Sequence, residues 1–137
     1  ILAALDRLDL LVDVPEWGCG RMVIIGIHRD DDNPNHPIEV IESMFNELDE
    51  WSGCIIAIDD SADITDFDMM LFHMTANMDP GRDLVWNGHR LGIDATSKSE
   101  THERNGQPVR KWPPPIAMDP EVVEFARQFV SRSTQEA

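Results

Sequence analysis

Carboxylates dominate the residues of this chain that could do chemistry. Asp30, Asp31 and Asp32 follow one apolar run; Asp59 and Asp60 close another, with Asp63 three positions on. Aspartates just past the carboxyl ends of neighbouring strands can chelate a hard divalent cation such as Mg²⁺ through oxygen. The plain alternative makes them turn and cap residues on an acidic surface. His28, His36, His73, His89 and His102 form no HxxxH-like pair, whereas a zinc site needs about four ligands. Ser97, Ser99, Thr101 and Cys19 have no adjacent base-and-orienter pattern that would activate a nucleophile. No G-x-S-x-G, P-loop or G-x-G-x-x-G occurs. Arg82, Arg90, Lys98, Arg104, Arg110 and Lys111 gather most of the positive charge in the second half. They read either as a solvated loop or as a docking strip for an acidic surface of a sister domain or subunit.

Eleven basic residues against 26 acidic ones give a net charge of −15. Such a surface repels phosphate backbones and anionic lipids, which argues against nucleic-acid and membrane partners. No apolar run is long enough to cross a bilayer. The chain starts on Ile1-Leu2-Ala3 without an initiator methionine, as a fragment, a processed chain or a trimmed one would. Two cysteines without CxxC spacing fit a reduced, cytoplasmic chain.

The elements that must position these residues follow from periodicity. Leu8 to Val14 predicts a short entry strand or an extended arm, and the β-branched run Met22–Ile27 a strand buried on both faces. Pro37 suits a first helical turn, and Ile38, Ile41, Phe45 and Leu48 repeat as one apolar stripe. Cys54–Ile58 predicts a second buried strand. Thr65 is the expected cap of a helix whose buried stripe would be Phe67, Met70, Leu71, Met74 and Met78. Met69, Met70, Met74 and Met78 read as core packing, and His73 as the border of the stripe. Asp83–Trp86 predicts a third strand, and the βαβαβ order a mostly parallel sheet. Residues 96–115 carry four prolines and no period, which predicts a long irregular exposed segment. Asp119 then caps a last helix with Pro120 at its start and Val122, Val123, Ala126, Phe129 and Val130 on one face. The fold class is therefore α/β: one domain over residues 1–137, a layered, mostly parallel or mixed sheet flanked by helices, with a proline-rich segment before a C-terminal helix.

Four motifs stand in order along this frame. They are Ile55-Ile56-Ala57-Ile58-Asp59-Asp60-Ser61-Ala62-Asp63-Ile64-Thr65-Asp66, then Met78-Asp79-Pro80-Gly81-Arg82-Asp83, then Gly92-Ile93-Asp94-Ala95-Thr96-Ser97-Lys98, then Trp112-Pro113 with Met118-Asp119-Pro120-Glu121-Val122-Val123. Together they resemble the C-terminal domain of UbiD-type decarboxylases, the 3-octaprenyl-4-hydroxybenzoate carboxy-lyase family. The resemblance implies reversible decarboxylation of an aromatic or α,β-unsaturated acid. In the family this runs on prenylated FMN with a divalent metal and potassium, held in an N-terminal domain that is absent here. It implies no catalytic, cofactor or metal residue on this chain. Its role would be assembly: a homo-oligomer, or a partner of a catalytic UbiD-like domain or subunit. Asp59, Asp60, Asp63, Arg82, Asp83, Asp94, Thr96 and Lys98 are family-motif residues without an assigned role. Two departures stand out. Ser61 stands where a third Asp is common, and only Leu84–Leu91 links the second and third motifs, where the family has a longer stretch. Trp86, Asn87, His89 and Arg90 in that link are the candidate pocket or interface segment. The rival readings are a stand-alone α/β binding module with an acidic strand-end pocket and a receiver-like domain. The latter needs an Asp after the third strand, where Trp86-Asn87-Gly88 stands.

Overall fold

A computed structural model describes residues 10–30, 32–99, 102–104, 106–109 and 118–135. Five strands form one mixed sheet: β1 (Leu11–Asp13), β2 (Met22–Ile27), β3 (Cys54–Asp59), β4 (Leu84–Asn87) and β5 (Arg90–Asp94), in spatial order β1-β2-β3-β5-β4. β2, β3 and β5 run parallel, and β1 and β4 close the two edges antiparallel. Helix α1 (His36–Glu47) follows β2, and α2 (Phe67–Asn77) follows β3. A two-stranded hairpin, β6 (Glu103–Arg104) and β7 (Gln107–Pro108), precedes α3 (Pro120–Gln135).

The β-branched runs behave as their composition demands. Alternate residues of β2 and β3 point to opposite faces, so each strand feeds two cores. Val23, Ile25, Ile27, Ile55 and Ala57 pack under α1 with Ile41, Met44, Phe45 and Leu48. Ile24, Ile56 and Ile58 pack on the other face with Ile93, Ile64 and Met70 of α2. Pro37 lies in the first turn of α1, as expected.

Several expectations change. Thr65 does not cap α2. Asp66 does, its Oδ1 accepting from the amides of Asp68 at 2.9 Å and Met69 at 3.1 Å, while the Thr65 hydroxyl donates to Asp63 Oδ1 at 2.7 Å. A carboxylate is the better acceptor at a helix N-terminus. The α2 stripe is not buried as a unit. Met70 is buried, with Met74 and Met78 packed beside it, but Phe67 is 48% and Leu71 45% exposed. The expected third parallel strand is instead an antiparallel edge strand. Its partner β5 has no counterpart in the sequence reading, and it takes the place beside β3. Gly92 interrupts the apolar pattern of β5 because α1 crosses there. A Cβ at that position would meet Ile41 Cγ2, Val85 Cβ and Phe45 Cζ. The β4–β5 loop is Gly88-His89. Gly88 has φ +62° and His89 has no positive φ, the pattern of a type II′ turn.

Residues 96–99 do not form an exposed loop: Thr96 is buried and Ser97–Ser99 are half-buried. Arg110, Lys111, Trp112 and the prolines 113–115 lie outside the described residues, as do Asp31, Thr101 and the side chains of Phe129 and Val130. Asp119 caps α3 as expected, accepting from the Glu121 amide at 2.9 Å. No described residue of α3 belongs to either core. Phe125 is 70% and Val122 49% exposed.

Candidate functional site

The second and third motifs meet in one buried charge cluster. Asp83 follows the turn after α2 and is fully buried, and Asp94 ends β5 and is fully buried too. Backbone pairing brings them together, the Asp94 amide donating to the Asp83 carbonyl at 2.9 Å. Arg82 grips Asp83 with two bonds, Nε to Oδ1 at 2.9 Å and Nη2 to Oδ2 at 2.7 Å. The Asp79 amide donates to the same Oδ2 at 2.8 Å. On Asp94, Oδ1 accepts from the Thr96 amide at 3.1 Å, the Thr96 hydroxyl at 2.6 Å and Lys98 Nζ at 3.3 Å. Asp94 Oδ2 takes both terminal nitrogens of Arg104 at 3.3 Å. Lys98 also lies 3.7 Å from Asp83, and Arg104 lies 3.5 Å from it.

Three cations thus surround two carboxylates. Lys98 caps the chain locally, donating to the carbonyls of Asp94 at 3.0 Å and Thr96 at 2.8 Å. Burial pushes its ammonium below the ordinary lysine value, with Asp94 and Asp83 opposing. The Arg82 guanidinium is held above its ordinary value, chiefly by its hydrogen bond to Asp83. Arg104 reaches past the cluster to the Pro34 carbonyl at 3.0 Å and Asn35 Oδ1 at 3.1 Å, at the start of α1. Arg82 bonds the carbonyls of Asn77 and Pro108, both at 3.1 Å. The cluster therefore ties the end of α2, the end of β5, the hairpin and the start of α1 together. Among the described residues, every buried side-chain nitrogen and oxygen has a partner. A network of this kind specifies one arrangement of its elements.

The described members of the basic strip expected from the sequence do not form an outward strip. Arg82, Lys98 and Arg104 face inward, because the two motif aspartates are buried and need counter-charges. Arg90 also turns inward. Its guanidinium lies 5.1 Å over the Phe45 ring, and it donates to the carbonyls of Phe45 and of Leu48, the latter at 3.1 Å, satisfying the C-terminal end of α1. Trp86, Asn87 and His89 sit on the exposed tip of the β4–β5 hairpin, Trp86 at 69%.

The strand-end aspartates have separate partners. Asp59 accepts from the amide and hydroxyl of Ser97, both at 3.1 Å, with His73 Nδ1 at 3.5 Å. Asp60 meets His28 Nδ1 at 3.1 Å on the surface. Asp30 accepts from the amides of Asp32 at 2.9 Å and Asn33 at 3.3 Å, as a turn residue does. Asp63 is exposed, and its bonds from Thr65 hold its carboxyl below the usual range. Among the described residues, no three His, Cys, Asp or Glu side chains gather as a metal would need. The cleft beside them, lined by Arg29, Asp30, Thr96, Ser97, Lys98 and His102, offers about 20 Å³, room for about one water. Both cysteines are free thiols, and burial pushes that of Cys54 up to about 11. No helix among the described residues is long and apolar enough to cross a membrane.

Sequence reasoning missed Arg104, His102 and Asn77 as members of this region. Spacing could not reveal them, since they come from separate segments. The available signal was the pair of aspartates inside apolar motifs, which demands cations from elsewhere in the chain.

Comparison with known proteins accounts for the first three motifs. Residues 10–107 match the family model of the 3-octaprenyl-4-hydroxybenzoate carboxy-lyase C-terminal domain. An evolved dimeric form of the UbiD-class enzyme HmfF from Pelotomaculum thermopropionicum, solved with prFMN, superposes with a TM-score of 0.61 at 20% identity. The match covers 74% of this chain and 25% of that one. The same enzyme with FMN gives 0.57 at 18% identity, covering 75% and 28%. Vanillic acid decarboxylase of Sedimentibacter hydroxybenzoicus, in its open form, gives 0.65 at 13% identity, covering 97% and 31%. The chain spans about a quarter to a third of the solved proteins it matches. With its second and third motifs joined in one cluster and its residues 10–107 matched, the chain belongs to the UbiD family, as that family's C-terminal domain.

Proposed function

We propose that this chain is the C-terminal assembly domain, or a small subunit, of a cytoplasmic UbiD-like carboxy-lyase. The parent enzyme would catalyse reversible decarboxylation of an aromatic or α,β-unsaturated acid. The chemistry would run on prenylated FMN with a divalent metal and potassium, in a domain outside these 137 residues. This chain would hold protomers together and wall one side of the substrate pocket. The flavin in the HmfF structures supports the cofactor assignment by likeness.

One observation carries the assembly role: two helices keep apolar faces that nothing in this chain covers among the described residues. On α2, Phe67, Leu71 and Phe72 are exposed, and Trp17 stacks edge-on to Phe67 with ring centroids 5.1 Å apart. A helix apolar on both sides belongs inside a larger body. On α3, Val122 and Phe125 are exposed beside an open trough lined by Pro120, Glu121, Glu124 and Gln128. Contiguous apolar surface of this kind marks an interaction site.

The test is the mass and colour of the native polypeptide. Light scattering should give an oligomer with flavin absorbance, and the isolated 137-residue chain should be colourless. Leu71→Glu and Phe125→Glu should lower the mass towards a protomer without unfolding the sheet. A native polypeptide of this length that stays monomeric, with no co-purifying flavoprotein, would favour the binding-module reading.

A further inference from the structure

The β6–β7 hairpin is seated on the charge cluster through a contact that requires a neutral imidazole. His102 is 5% exposed. Arg104 Nη2 lies 3.3 Å from His102 Nε2. A guanidinium has only donors, so Nε2 presents its lone pair and the ring carries its proton on Nδ1. The same Arg104 continues to Asp94, Pro34 and Asn35. The backbone of His102 is bonded in both directions. Its amide donates to the Ser99 carbonyl at 3.0 Å, and its carbonyl accepts from the Val109 amide at 3.2 Å. His102 therefore closes the base of the hairpin and abuts Arg104, which ties the hairpin to both β5 and α1.

Charged groups face the ring from every element packed around it. Arg104 comes from β6, Lys98 and Asp94 from the end of β5, and Asp83 with Arg82 from the turn after α2. Arg29 and Asp30, from the loop after β2, line the same cleft. Burial, then Arg104 and Lys98, hold the imidazole below its ordinary value, against the pull of Asp94 and Asp83. Protonation would turn Nε2 from acceptor to donor, opposite another donor. It would also add a fourth cation to a cluster that already has three for two carboxylates.

We propose that His102 is an acid-sensitive latch. Neutral, it seats the hairpin on the Asp83–Asp94 cluster; protonated, it releases the hairpin, and with it the Arg104 tie to α1, while the sheet stays folded. The sign follows from linkage. A histidine whose folded value is lowered contributes fully above its unfolded value of about 6.5, and that contribution is lost as pH falls through the folded value. The latch is thus closed at neutral pH and opens as pH falls through that lowered value.

Amide exchange of the full chain at pH 7.5, 6.0 and 5.0, corrected for intrinsic rates, tests this. Protection at Val109 and Arg104 should fall at least about tenfold between pH 7.5 and 5.0, while Ile56 in β3 keeps its protection. His102→Gln supplies a carboxamide oxygen for Arg104 but does not titrate, so its hairpin protection should stay flat with pH. An equal loss in His102→Gln, or no loss in the unsubstituted chain, would overturn the latch. Should His102→Gln fail to fold, the nitrogen resonances of the native ring decide. An Nδ1–H tautomer at pH 7.5, with hairpin release tracking ring titration, supports the proposal. An Nε2–H tautomer, or titration without release, overturns it.

Discussion

Replacing Asp83 by asparagine keeps the shape and removes one of two buried negative charges. The site is fully buried and receives Arg82 Nε, Arg82 Nη2 and the Asp79 amide within 2.9 Å. Lys98 at 3.7 Å and Arg104 at 3.5 Å add ion pairing. The carboxamide can accept at one atom only, and its NH₂ must then face a guanidinium, donor against donor. The cluster's charge rises from +1 to +2 in a place that water does not reach. Removing one partner of a buried pair costs about 3–5 kcal/mol, against a total stability of roughly 5–15 kcal/mol for a domain. Asp83→Asn should therefore lose roughly a fifth or more of the folding free energy and lower the melting temperature by roughly 10–15 °C. Urea unfolding followed by far-ultraviolet circular dichroism measures this directly. Lys98→Met provides the contrast, because it removes the surplus cation and leaves two cations for two carboxylates. Its cost should be about 1–2 kcal/mol, from the lost hydrogen bonds to the Asp94 and Thr96 carbonyls. If Asp83→Asn costs under about 1 kcal/mol, or if Lys98→Met costs more than Asp83→Asn, charge balance does not govern this cluster.

Other expectations can be checked with simple assays. Gly92→Ala should destabilise by about 1–3 kcal/mol, because the new methyl meets Ile41, Val85 and Phe45; thermal melts would show it. With a thiol reagent at pH 8, exposed Cys19 should react within the mixing time of a manual assay. Cys54, its thiol pushed up to about 11 by burial, should label only as the protein opens. Equal rates for the two thiols would contradict the burial of Cys54.

The parts of the fold legible in the sequence were those with one dominant signal. β2 and β3 are continuous β-branched runs, and α1 has a clean apolar stripe after a proline. The last helix announced itself through Asp119-Pro120. β5 was illegible because its five residues carry a glycine dictated by α1 and an aspartate dictated by the charge cluster, so no period of two survives. The α2 stripe misled because the helix is apolar on its outward side as well, which periodicity alone assigns to the core. At the site, the motif residues Arg82, Asp83, Asp94, Thr96 and Lys98 could be singled out but not assembled. Only the antiparallel pairing of β4 with β5 sets Asp83 beside Asp94. Arg104 carried no mark of its role in the cluster, since its partners on β5 and at the start of α1 lie 10 and about 70 positions away.

The β4–β5 hairpin carries one more implication. Its open end is fixed at Asp83 and Asp94, while its closed end is only Gly88-His89 in solvent. Extra residues inserted at that tip would lengthen the ribbon outward and leave the paired aspartates where they are. The tip is therefore the natural place for evolution to vary length, and for an experimenter to graft a peptide tag or a fluorophore-bearing loop.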